Sequence, residues 1–281
     1  MGRKKAFTLI ELLVVISIIA VLLGILFPSL RKARASSRAV VCLSNLKQWG
    51  VGLGVYWAEN NDKFFKDYYD NADNPTQEQR AARRWHNALW PYVKTTKIFL
   101  CPTATKPQYT TTNTTGITNT DMTFATWPIS DQWSIPETKG LNGSYGLNSW
   151  VTNRAYSPSS PTNNWNWRTA GGQGFSPSAI PILGDSWWNR SECKEGDVPP
   201  AYRGENKGSS NCMSRFCLDR HNENINMLFM DLTVRKVGLK ELWTLKWHRQ
   251  FNTRGPWTLA DPDSSARWKM AAPWMAQMRE Y

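Results

Sequence analysis

Histidine is scarce in this sequence, and the patterned residues of common enzymes are missing. The 281 residues include three histidines, His86, His221 and His248, and none stands in an H-E-x-x-H or other paired ligand spacing. There is no G-x-S-x-G, no P-loop and no Rossmann glycine pattern, so the chain is expected not to be an enzyme. Mean hydropathy is −0.50, which excludes a polytopic membrane protein. Disorder of the whole chain is excluded by 12% aromatics and 16 Trp, which need an interior to pack in. Charge is absent where it matters most: nothing between Leu12 and Phe27 is ionisable.

That uncharged run is the strongest positive signal. From Phe7 to Phe27 the only ionisable residue is Glu11. About 20 apolar residues span about 30 Å as a helix, the thickness of a bilayer's hydrocarbon core. Arg3, Lys4 and Lys5 precede it, so the N-terminus is expected in the cytoplasm and everything from Ser29 onward outside the membrane. An ionised Glu11 within the span costs about 3 kcal/mol and calls for a partner. Cleavage before Phe7 would create one, an α-amino group four residues away or on a neighbouring parallel helix. Two rivals share the stretch: a secretory signal cut before Ser36, after Ala33-Arg34-Ala35, and a simple uncleaved anchor.

The short basic leader followed by Ala6-Phe7-Thr8-Leu9-Ile10-Glu11-Leu12-Leu13-Val14-Val15-Ile16 resembles the prepilin signal of type IV pilins and type II secretion pseudopilins. The resemblance implies that a prepilin peptidase cuts between Ala6 and Phe7 and methylates the new amine, and that Glu11 directs subunit docking. Ala6 stands where the family usually has Gly. Pro28 lies where the family often carries a proline that kinks the helix. The implied life history is a single-pass inner-membrane precursor, then a homo-oligomeric helical filament at the cell surface, raised by an inner-membrane assembly platform.

Past Pro28 a helical pattern resumes, with Leu43, Leu46, Gly50, Leu53 and Trp57 on one side and Asn45, Lys47, Gln48 and Glu59 on the other. The organisation expected is a leader, 1–6, a helix, 7–59, of which 7–28 is the membrane or filament-core part, and an extracytoplasmic head, 60–281. In the head, Thr76–Val93 reads as one amphipathic helix ended by Pro91, Lys97–Cys101 as a short strand and Ala179–Trp188 as a buried strand. Ile225–Val237 reads as a hairpin turning near Asp231, and Leu239–Phe251 as a helix. Residues 103–126, with 11 Thr in 24, and 156–178 read as loops, and the last 30 residues as a tail pinned by Trp257, Trp268 and Trp274. The fold class expected is α+β, a long helix packed on a small antiparallel sheet with long loops.

His221 and Asp231, with nine residues between them, together with Ser144-Tyr145-Gly146, Asn148-Ser149-Trp150 and Cys101-Pro102, are similar to the H-x9-DG segment of many prepilin-like proteins. Leu232 replaces that segment's Gly, which suggests a different turn. Five cysteines, Cys42, Cys101, Cys193, Cys212 and Cys217, cannot all pair. Outside the cytoplasm two bridges are expected, Cys42 to Cys101 and one among the other three. Cys217 and His221, four apart, would face each other on a helix as a dyad, but a bridged cysteine is the plainer reading. No cofactor is expected. Asp185, Asp219 and Asp231 are weak candidates for a structural Ca²⁺. The net charge of +12 permits nucleic-acid contact without indicating it. The function expected is that of a filament subunit; the alternative is a membrane-anchored head whose tryptophans bind glycan or DNA.

Overall fold

The structure, a computed structural model, describes residues 9–68, 70, 73–107, 121–153, 166–171, 174–208 and 210–281. Helix α1 runs from Leu9 to Glu59 and lives in two environments. From Leu9 to Leu30 its aliphatic side chains are exposed, and by length and composition it can cross a membrane. It continues through Pro28, which removes one backbone donor without ending the ladder. From Ala39 onward one face is buried, through Cys42, Asn45, Leu46, Trp49, Leu53 and Trp57, at intervals of mostly three and four residues. Asn45, expected on the solvent side, is on this face because its side chain donates to the Leu100 carbonyl at 2.9 Å.

Two glycines let the helix approach closely. A Cβ on Gly50 would lie 2.8 Å from Leu228 Cδ1, and one on Gly52 2.7 Å from Val93 Cγ1. Glycine costs a helix about 1 kcal/mol, and here the close packing it permits offsets that.

The head holds two sheets. In the small one, β1 (Lys106–Pro107) pairs parallel with β2 (Ala125–Pro128), which pairs antiparallel with β3 (Asn142–Gly143). The larger sheet comprises β4 (Tyr145–Asn148), β5 (Pro181–Asp185), β6 (Arg190–Ser191), β7 (Asn224–Phe229) and β8 (Val234–Gly238). Their order is β6-β4-β5-β7-β8, antiparallel except for the β4–β6 edge. The class is α+β, with a sheet that is mixed at its margin. Asn226 donates to Ala39 O of α1 at 3.2 Å and Leu228 meets Gly50, so Ile225, Met227 and Phe229 point the other way. They too are buried, which is why these strands read as continuous apolar runs. The Ala179–Trp188 and Ile225–Val237 expectations hold.

Three others do not, and for related reasons. Thr76–Val93 is three short helices, α2 (Gln77–Ala82), α3 (Trp85–Ala88) and α4 (Trp90–Val93). The break falls at Arg84, which is extended. Its guanidinium lies 4.1 Å from the ring centroids of both Tyr68 and Trp133, a cation–π sandwich that compensates for the lost turn. Pro91 opens α4 instead of ending a helix. Residues Lys97–Phe99 form a 3₁₀ turn, not a strand: the Ile98 carbonyl accepts from Trp49 Nε1 at 2.9 Å. Beyond the 3₁₀ turn Lys240–Thr244 the helix expected to Phe251 fails. The Trp247 carbonyl instead accepts from Asn148 Nδ2 at 2.8 Å and Trp167 Nε1 at 3.0 Å. Side-chain amides and indoles have replaced the backbone ladder. In the tail, Trp257 and Trp268 are buried, with Trp268 5.2 Å from Trp243. Helix α5 (Ser264–Ala271) was not anticipated. Most of the Thr-rich stretch, 108–120, and 156–165 of the second loop lie outside the described residues.

The β7–β8 turn keeps the geometry that favours glycine. Leu232 N–H donates to Phe229 O at 2.9 Å, and Leu232 has φ +63°, a left-handed conformation that costs an L-residue about 1–2 kcal/mol. The turn is therefore of the kind glycine would make, and Leu232 tolerates it while packing against the core beside Gly54. Leu232→Ala loses that packing and keeps the strain, whereas Leu232→Gly loses both. Glycine should therefore be the more stable of the two by about 1 kcal/mol, a reversal of the usual order that urea unfolding would detect.

His86 is buried, its Nδ1 2.8 Å from Asn87 Oδ1. Burial foremost, and then the Arg84 charge, lowers its pKa to about 3. A folded pKa below the unfolded one gives stability that is present above pH 6.5 and lost as pH falls towards 3. Between pH 7 and pH 5 the wild type should lose about 2 kcal/mol more than a His86→Gln variant, measured by urea unfolding at each pH.

Candidate functional site

Two regions carry the residues singled out in the sequence. The first is the exposed end of α1. Glu11 is exposed within its apolar face, and with Ile10, Val14 and Val15 it lines an open groove of about 370 Å³. Ala6 and Phe7 lie outside the described residues.

The second lies where α1 meets the head. Cys42 from the helix, Cys101 from the loop after the Lys97–Phe99 turn, Asp185 from the end of β5 and His221 from the loop before β7 converge. All four are buried, and their donor atoms lie within 4.8 Å of one another. Cys42 Sγ is 3.3 Å from Asp185 Oδ1, Cys101 Sγ 3.4 Å from His221 Nε2, and His221 Nε2 3.1 Å from Asp185 Oδ2. Around them, Tyr145 OH donates to Cys42 Sγ at 3.3 Å and Asn226 N–H to Asp185 Oδ2 at 2.9 Å. Arg220 Nη1 lies 3.5 Å from Asp185 Oδ1.

The electrostatics are those of a sealed ionic cluster. Burial pushes the Asp185 carboxyl up, but the His221 and Arg220 charges and the Asn226 N–H outweigh it, holding it below the usual carboxylate range. Burial likewise works against a charged His221, and Asp185 and then Cys101 overcome it, so His221 is raised. The Cys42 thiol donating to Cys101, aided by His221 against burial, brings Cys101 down to about 6. Cys42 goes the other way, raised by burial first.

The five cysteines are unbridged here, and the expected bridges are not confirmed. Cys42 and Cys101 do meet, as hydrogen-bonded thiols within the cluster. Cys193 is buried and Cys212 half-buried, while Cys217 donates to Met275 Sδ at 3.7 Å. The Cys217–His221 dyad does not form, because His221 is held by Cys101 and Asp185. Nor are Cys101, His221 and Asp185 a catalytic triad: one nitrogen, Nε2, faces both partners, whereas a triad uses the two ring nitrogens separately.

The three aspartates read as calcium candidates form no common cluster among the described residues. Asp231 sits in the hairpin turn and accepts from Thr233 N and Oγ1 at 3.0 and 2.6 Å. Asp219 accepts from Glu223 N at 2.6 Å and pairs with Arg203 at 3.3 Å. His221 and Asp231 of the H-x9-D segment have separate partners. No described tryptophan is exposed; Trp90, Trp133, Trp188 and Trp274 are half-buried and the rest buried. Each cluster residue attracted notice in the sequence, but for unrelated reasons, as did Tyr145; Arg220 and Asn226 did not.

A helix long and apolar enough to cross a membrane, with Glu11 the one carboxylate of its apolar half, precedes an α+β head and fits a membrane-anchored precursor. Residues 1–27 match the family model described as the prokaryotic N-terminal methylation motif. The chain thus carries a prepilin-type methylation motif at its N-terminus. No curated protein and no solved structure matches the chain.

Removing the buried charge at Asp185 should uncouple the cluster and leave Arg220 without its carboxylate. Asp185→Asn is expected to cost about 3 kcal/mol or more, and Asp231→Asn less than about 1 kcal/mol. Chemical unfolding of the detergent-solubilised chain compares the two directly.

Proposed function

We propose that this chain is a structural, non-enzymatic subunit of a type IV pilus-like or type II secretion-type filament. The observation that carries the reading is the half of α1 from Leu9 to Leu30. It is apolar around its circumference, uncovered by the head, and contains a single carboxylate. Such a surface needs either lipid or copies of itself. In the membrane, lipid covers it. After prepilin peptidase removes residues 1–6 and methylates Phe7, parallel helices would cover one another, with Glu11 of one subunit neutralising the Phe7 amine of the next. The cost of a carboxylate in an apolar medium makes that pairing selective for register. An inner-membrane assembly platform would extract the subunits, and the heads would form the outer surface.

The binding-protein alternative draws little from the head. Aromatic platforms for glycans or bases need open ring faces, and the described tryptophans are core or half-buried.

Glu11→Ala is expected to leave the protein membrane-inserted and processed, with N-terminal analysis showing methylated Phe7, but to remove it from sheared filament fractions almost completely. Filaments in normal amount from that variant would sink the docking role. A mature chain beginning at Ser36, or retaining Met1, would sink the filament reading itself.

A further inference from the structure

We propose that Cys42, Cys101, Asp185 and His221 form a tetrahedral binding site for a divalent thiophilic metal ion, with Zn²⁺ as its occupant. A zinc ion with bonds of about 2.3 Å to sulfur and about 2.0–2.2 Å to nitrogen and oxygen sets its ligands about 3.3 Å apart for N–O and about 3.5 Å apart for S–N or S–O. Three of the six edges are measured here: 3.1 Å for His221 Nε2 to Asp185 Oδ2, 3.4 Å for Cys101 Sγ to His221 Nε2 and 3.5 Å for Cys42 Sγ to the same Asp185 Oδ2. Each falls within about 0.2 Å of the tetrahedral value. Four side chains from four separate segments thus converge with their ligand atoms within 4.8 Å of one another, and three of their edges already match a zinc tetrahedron.

Charge is compatible with the same occupant. Two thiolates, one carboxylate and a neutral imidazole sum to −3, and Zn²⁺ with the Arg220 guanidinium supplies +3. The Arg220, Asp185 and His221 side chains are at most 1% exposed, and Cys42 and Cys101 are 0% exposed. A residual charge there would be heavily penalised, and the filled site has none. The donor set also discriminates: two sulfurs and an imidazole suit Zn²⁺, whereas Ca²⁺ takes six or more oxygens. The outer partners that fix ligand orientation in metal sites are present as well: Tyr145 OH on Cys42, and Asn226 N–H and Arg220 on Asp185. His221 and Arg220 also line a cavity of about 400 Å³ together with Lys32, Arg38 and Lys236.

The ion would join α1 to three segments of the head, and this does not depend on filament assembly. The test uses the full chain, expressed with its leader and extracted in detergent, with total metal measured by plasma mass spectrometry. One Zn²⁺ per chain is expected, falling below a tenth in Cys101→Ser and His221→Ala but unchanged in Cys193→Ser and Cys217→Ser. Because the first two variants could lose their fold, wild-type protein reloaded with Co²⁺ supplies a second readout: thiolate-to-cobalt charge transfer and intense tetrahedral d–d bands. Zinc-free wild type, a Cys42–Cys101 disulfide in non-reducing peptide maps, an octahedral cobalt spectrum, or zinc retained by Cys101→Ser would each overturn the assignment.

Discussion

A carboxylate sealed from water must be neutralised by the chain itself, and Asp185 imposes that requirement on most of the head. Its guanidinium partner, Arg220, is equally buried and donates to the carbonyls of Thr123, Ala125, Ser144 and Ser186 at 2.7, 2.7, 2.7 and 3.1 Å. Those carbonyls border β2, β3, β4 and β5. One ion pair therefore fastens the small sheet to the large one, while Asp185 receives the backbone N–H of Asn226 on β7 and meets Cys42 on α1. Apolar packing alone would tolerate some sliding of these elements. A buried pair with directed hydrogen bonds does not, because any shift strands a charge.

The same logic explains the abundance of tryptophan in the interior. Indoles bring large apolar area and one donor each, and the structure spends those donors on carbonyls that no ladder reaches. Trp49 serves Ile98, Trp150 serves Cys193, Trp187 serves Ser214 and Trp243 serves Asp197. A loop-rich head with short strands has many such carbonyls, and burying them without partners would be costly. Tryptophan lets irregular backbone lie inside a core.

What was legible in the sequence follows from how local each signal is. The α1 span, its single carboxylate and the β7–β8 hairpin are written in contiguous residues, so periodicity and turn position reveal them. The breaks at Arg84, at Lys97–Phe99 and after Thr244 are not, because each is decided by a distant side chain: Tyr68 and Trp133 around Arg84, Trp49 at Ile98, Asn148 and Trp167 at Trp247. The Asn45 error has the same origin, since only the fold shows that Leu100 offers it a carbonyl. The cluster at the head is the extreme case. Cys42, Cys101, Asp185 and His221 share no spacing, and their meeting depends on the sheet order β5-β7-β8 beneath the helix. Leu232 shows the converse: the turn geometry was set by the strands it joins, and a residue poorly suited to φ > 0 was made to accept it.

The position of the cluster along α1 gives it a mechanical meaning. Burial begins at Ala39, and Cys42 lies one turn beyond, about 18 Å along the axis from Leu30. In the proposed filament, tension reaches the head through the exposed half of the helix. A helix pulled from one end peels from its first contacts, so the first buried turn carries load that Trp49, Leu53 and Trp57 do not. Apolar contacts there, one at a time, resist with only a few kcal/mol each. A metal joint would instead require the Cys42 thiolate–metal bond to break, with the ion still held in the head by Cys101, Asp185 and His221. Placed at Trp57 the same joint would leave the peeling front unprotected; placed at Cys42 it stands at the point where the helix leaves the head.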